Sequence, residues 1–112
     1  MRFYGIPSED RVVEIVNSIN SSGAWIFEEN GEKYVLNSEE VKAKLLELVE
    51  KVKEWKASMK HIPAGTTLIF VHEPSEPKAF RIYDLSSLGC AVSLNPPRWK
   101  VYIKELEAQM SP

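Results

Sequence analysis

A single cysteine, Cys90, stands in a chain of 112 residues, so no disulfide can close within it and the fold must be held by packing. A lone thiol suits a reducing compartment, and its plainer role is that of a small buried hydrophobe. Histidine is nearly as scarce: His61 and His72 lie eleven residues apart with no zinc or catalytic spacing between them. The five glycines are scattered, and Gly65-Thr66-Thr67 lacks the spacing of a phosphate loop. Ser86-Ser87 sits in no nucleophile elbow. No apolar run approaches the roughly 20 residues that span a bilayer. The N-terminus, Met1-Arg2-Phe3-Tyr4-Gly5-Ile6-Pro7, turns acidic at once and offers no signal-peptide core. These absences give the expectation of a soluble cytoplasmic protein with no metal and no cofactor, weighted towards binding rather than chemistry.

What is present favours one α+β domain over residues 1–112. Hydrophobic residues make up 44% of the chain, enough for one core and too few for two in this length. The formal net charge is −2, which supplies no global attraction to nucleic acid or anionic membranes. Its layout is uneven, because residues 1–36 carry three basic against six acidic side chains while the remainder is close to balanced.

The clearest pattern is a stripe of Val41, Leu45, Leu48, Val52, Trp55 and Met59 at spacings of four and three, which predicts one long helix over 37–61. Asn37 and Glu40 form a capping box at its start. Glu40–Lys44 and Glu47–Lys51 are four apart in the favourable order, and Lys42, Lys53, Lys56 and Lys60 flank the stripe as a solvated side. Before it, Ala24 to Glu29 and Glu32 to Leu36 flank Asn30-Gly31, a two-residue hairpin signal. Arg2 to Ile6 reads as a short strand. Ser8 caps a helix running to about Ser21, with Val12, Val13, Val16 and Ile19 as its apolar face. Thr66–Val71 reads as a strand buried on both faces or central in a sheet, Ala79–Leu85 as another after a Pro-containing turn, and Cys90–Leu94 as a third. Asn95-Pro96-Pro97 predicts the start of a final helix with Trp99, Ile103, Leu106 and Met110 as its stripe. The expected architecture is therefore an antiparallel sheet of about four to six strands with three helices, in the order β-α-β-β-α-β-β-(β)-α. Residues 2–71 have the βαββαβ order of a ferredoxin-like unit.

Function enters through surfaces. Three tryptophans and four tyrosines exceed what one small core must contain, and such residues anchor protein interfaces. Trp25, Tyr34, Trp55 and Tyr102 are the candidate anchors, joined by Glu28 and Glu29 near an acidic hairpin tip suited to a basic surface. For each the plainer role is core packing or a solvated tip. The leading expectation is a small acidic binding protein that inhibits or modulates a protein partner, of the immunity-protein, antitoxin or phage-encoded-inhibitor type. A homodimer through the helical stripe is an alternative, since its spacing is also that of a coiled-coil seam. A second alternative is nucleic-acid binding by a basic and aromatic patch on the final helix, Arg98, Lys100, Tyr102 and Lys104, extended by Lys53 and Lys60. A third is a small-molecule or enzymatic site around His72, Asp84 and Cys90.

Overall fold

Asn30 and Gly31 adopt positive φ values of 53° and 81°, the backbone of a type I′ turn, and join two five-residue strands as the Asn-Gly dipeptide predicts. The computed structural model describes residues 2–20, 23–58, 66–84 and 96–110. Its elements are β1 (Tyr4–Ile6), α1 (Glu9–Asn17), β2 (Trp25–Glu29), β3 (Glu32–Leu36), α2 (Ser38–Ser58), β4 (Ile69–His72), β5 (Ala79–Ile82), β6 (Trp99–Ile103) and α3 (Glu107–Met110), the last entered through a 3₁₀ turn at Lys104–Leu106. The six strands form one antiparallel sheet in the order β1-β4-β5-β6-β2-β3. The molecule is a small compact α+β domain.

Local chemistry sets the helix starts. Ser8 Oγ accepts the amide hydrogen of Arg11 at 3.3 Å, with Glu9 and Asp10 in the first turn of α1. Asn37 N donates to Glu40 Oε1 at 3.0 Å while Glu40 N donates to Asn37 Oδ1 at 2.8 Å, so the reciprocal cap forms as the sequence predicts. Having spent its carboxylate there, Glu40 does not pair with Lys44, whose ammonium lies 3.5 Å from Glu47. Helix α1 ends at Asn17, earlier than Ser21, where Ser18 Oγ donates to the Ile15 carbonyl at 2.6 Å.

Both long helices cover the same face of the sheet. Val12, Ile15 and Val16 of α1 and Val41, Leu45, Leu48, Val49 and Val52 of α2 pack on Trp25, Phe27, Ile69, Val71, Phe80, Ile82, Trp99 and Val101. Because the α2 stripe is consumed by the chain's own sheet, it cannot serve as a coiled-coil seam; Met59 lies outside the described residues. A smaller cluster of Ile26, Ala79, Tyr102 and Met110 occupies the opposite face. Strand β4 lies inside the sheet between β1 and β5, and it alternates between buried Ile69 and Val71 and half-buried Phe70 and His72 rather than being buried on both sides.

The final helix and the ferredoxin-like unit differ most from expectation. The final helix shrinks to Glu107–Met110, because Trp99–Ile103 pairs with β2 on one side and β5 on the other. Trp99 and Val101 enter the main core while Tyr102 faces the smaller cluster, so tertiary pairing overrides the helical spacing of the stripe. The βαββαβ order holds through β4, yet β5 and β6 stand between β4 and β2, and the first four strands do not close a ferredoxin-like unit. The expected strand at Cys90–Leu94 lies outside the described residues. Among the described residues no helix is long and apolar enough to cross a membrane.

Candidate functional site

Strand β3 is one edge of the sheet, and all of its residues but Leu36 are exposed. Tyr34 and Val35, at 45% and 65% relative exposure, are two of the three exposed large hydrophobic side chains among the described residues. Cross-strand register places Tyr34 opposite Phe27, Leu36 opposite Trp25 and Glu32 opposite Glu29, so these face α2, while Lys33 and Val35 face the other way. The closing turn sends the Glu32 amide to the Glu29 carbonyl, and antiparallel alternation then leaves the backbone groups of Lys33 and Val35 pointing outward. An edge of this length with no proline and an unbroken register is a template for another strand. Lys33 does not shield it, since its ammonium reaches back 3.1 Å to Glu107.

Beside this edge runs a groove of about 570 Å³. Its sheet wall is Phe27, Glu29, Tyr34 and Leu36, and its helix wall is Glu40, Ala43, Lys44 and Glu47. Phe27 and Tyr34 lie with ring centroids 6.1 Å apart, and Lys44 Nζ sits 5.0 Å from the centre of the Phe27 ring. The Tyr34 hydroxyl donates to Glu32; that hydrogen bond and the carboxylate's charge hold its pKa above the ordinary phenol value. A smaller hollow of about 270 Å³ lies at the end of the edge, lined by Gly23, Ala24, Val35, Leu36 and Asn37.

The six interface candidates divide. Tyr34 and Glu29 meet in the groove. Trp25 and Tyr102 are fully buried and offer no surface. Glu28 accepts the Tyr102 hydroxyl and Glu29 accepts the Trp99 indole N–H at 2.6 Å, so both carboxylates hold β6 against β2. Burial, with Glu28 second, raises the Tyr102 pKa far above its ordinary value. Trp55 is half-buried and stacks on Trp99 with centroids 5.8 Å apart and planes 10° from parallel. Arg98 covers both rings, 4.6 Å from Trp99 and 5.7 Å from Trp55.

The basic patch disperses with the helix that was to carry it. Arg98 is occupied by the tryptophans and by Asp84 at 3.9 Å, Lys100 donates to the Met110 carbonyl at 3.2 Å, and Tyr102 is buried, which leaves exposed Lys104 apart. Lys53 lies 3.1 Å from Asp10, whose hydrogen bond raises its pKa, and Lys60 lies outside the described residues. His72 Nδ1 is hydrogen-bonded at 2.7 Å to the Arg2 carbonyl and its ring lies 5.8 Å from Phe3, a tether for the N-terminal strand. Cys90 and His61 lie outside the described residues. Among those described, no group of three acidic, cysteine or histidine side chains is placed to hold a metal ion.

Sequence reasoning singled out Tyr34 but missed Val35, whose neighbours Tyr34 and Leu36 make it look like one more arm residue. The signal was the length of the hairpin's second arm with no proline in it. No protein-family model matches the chain, and no solved structure matches it. Over 113 positions, covering 99% of this chain and 91% of the relative, it is 45% identical to a protein of Aquifex aeolicus (strain VF5) described as an "Uncharacterized protein". At that identity and coverage, the chain belongs to the same family as the Aquifex protein.

Proposed function

We propose that this protein is a binding module that acts on a protein partner by accepting an extended segment along β3, with partner side chains entering the groove against α2. The observation that carries the reading is the coincidence of a strand edge that no other described strand pairs with, exposed Tyr34 and Val35, and an open groove beside them. Strand addition uses main-chain hydrogen bonds for affinity and alternate side chains for specificity, and β3 supplies both. An inhibitor or modulator needs no catalytic group, only a surface that occludes, which suits a domain of this size.

The test is capture from the native host lysate, with and without nuclease and from low to moderate salt, comparing wild type with Val35→Pro. Proline at 35 removes an outward N–H without touching the β2 ladder, a position where edge strands tolerate it. The expected result is a stoichiometric protein retained by wild type and lost from V35P. Recovery of nucleic acid alone, disappearing as salt rises, would overturn the reading, because phosphate-dominated binding falls steeply with salt.

A further inference from the structure

We infer that the segment accepted by β3 is basic, with lysine or arginine at alternate positions facing the groove. The inference rests on the strand-addition reading above and names the chemistry of its partner.

The argument is one of charge. Three carboxylates, Glu29, Glu40 and Glu47, line the groove against one ammonium, Lys44. Their hydrogen bonds do not neutralise them. Glu29 accepts from the neutral Trp99 indole at 2.6 Å and Glu40 from the backbone amide of Asn37 at 3.0 Å. Of the three, Glu47 alone forms an ion pair among the described residues, with Lys44 at 3.5 Å. Glu32 adds a fourth carboxylate at the rim, held by the Tyr34 hydroxyl. The groove thus carries excess negative charge in a concavity walled by Phe27, Tyr34 and Leu36, and such walls focus the field and favour cationic side chains.

Register decides which partner residues feel that field. A strand pairing with Lys33 and Val35 sets its alternate side chains next to Tyr34 on the α2 face, and the others beside Val35 and Lys33 on the opposite face. Cationic side chains suit the first set, their aliphatic stems crossing Tyr34 to reach Glu47 and Glu32. The second set meets exposed Val35 and takes apolar residues. A second copy of this chain is a poorer occupant, since its edge would turn Glu32, Tyr34 and Leu36 towards the groove and supply no cation on that face.

The probes are two synthetic peptides of equal length with alternating sequence, one Arg/Val and one Glu/Val, titrated against the full chain by fluorescence anisotropy. We expect the Arg/Val peptide to bind at least ~10-fold more tightly at low salt, a difference on the order of 1.4 kcal/mol. Glu47→Lys, at an exposed position, should weaken it ~5- to 10-fold and narrow the preference for Arg/Val over Glu/Val. V35P should abolish binding of both.

Equal or reversed preference with binding still lost in V35P would overturn the basic-segment inference and leave the strand-addition reading standing. Binding unaffected by V35P would overturn both. If neither peptide binds, the inference falls, and the reading then depends on the lysate capture. A wild-type dimer in sedimentation equilibrium that V35P dissociates would make a second copy the occupant and overturn the inference.

Discussion

Replacing Lys56 with methionine should cost this domain far more than the loss of one surface lysine. By its spacing along α2, Lys56 belongs to the solvated side of the helix, yet its side chain is only 17% exposed, and that of its partner Glu9 only 15%. Its ammonium lies 2.7 Å from the Glu9 carboxylate and 3.3 Å from the Pro7 carbonyl, and it also donates to the Thr66 carbonyl. One side chain thereby ties the end of α2 to the β1–α1 turn and to the approach to β4. Methionine preserves the aliphatic stem but strands Glu9 and two carbonyls. Breaking a fully buried pair costs about 3–5 kcal/mol, and the remaining solvent access here scales that to about 2–3 kcal/mol. With an m-value of about 2 kcal/mol per molar urea, the midpoint should fall by about 1–1.5 M. Urea unfolding followed by tryptophan fluorescence reads it directly. The same titration of Glu9→Gln and of the double variant K56M/E9Q closes a cycle in which the pair should show about 1–2 kcal/mol of coupling. A K56M loss below about 0.5 kcal/mol, within the range of exposed pairs, would refute the argument that this contact is desolvated.

Two further perturbations test other parts of the fold. Tyr102→Phe removes the donor to Glu28 and should cost about 1–2 kcal/mol near neutrality. Because burial and Glu28 raise the folded-state pKa, the neutral phenol stabilises the fold fully below about pH 10, the unfolded value, and that contribution is lost as pH climbs towards the folded value. The gap between wild type and Y102F should therefore shrink as pH rises above about 10, and parallel urea midpoints from about pH 9 to beyond pH 10 would contradict the assignment. Gly5→Ala would place a methyl 2.8 Å from Thr67 Cγ2 and 3.0 Å from the Phe70 ring that lies across from Gly5 in β4. The expected cost is about 1–2 kcal/mol, and thermal unfolding with Tm unchanged would show that Thr67 and Phe70 yield freely.

Much of the architecture was legible because its determinants are local. The Asn-Gly turn, the Ser8 cap and the Asn37/Glu40 box each act within four residues, and the spacing of Val41, Leu45, Leu48 and Val52 names a buried face whatever covers it. The acidic hairpin tip and Tyr34 were visible for the same reason.

Only tertiary structure decided the rest. Trp99 to Ile103 carries a helix-compatible stripe and a strand-compatible run at once, and two neighbouring strands with free ladders settle it as β6. That decision buries Tyr102, turns Glu28 and Glu29 into its hydrogen-bonding supports, and dissolves a basic patch that required a helix. It also inserts β5 and β6 into the middle of the sheet, leaving β3 at an edge. Whether Tyr34 and Val35 face a neighbour or solvent depends on strand order, which is fixed by contacts distant in sequence. A local pattern can specify an arm of a hairpin, but it cannot say that the arm will lie at the edge of the sheet.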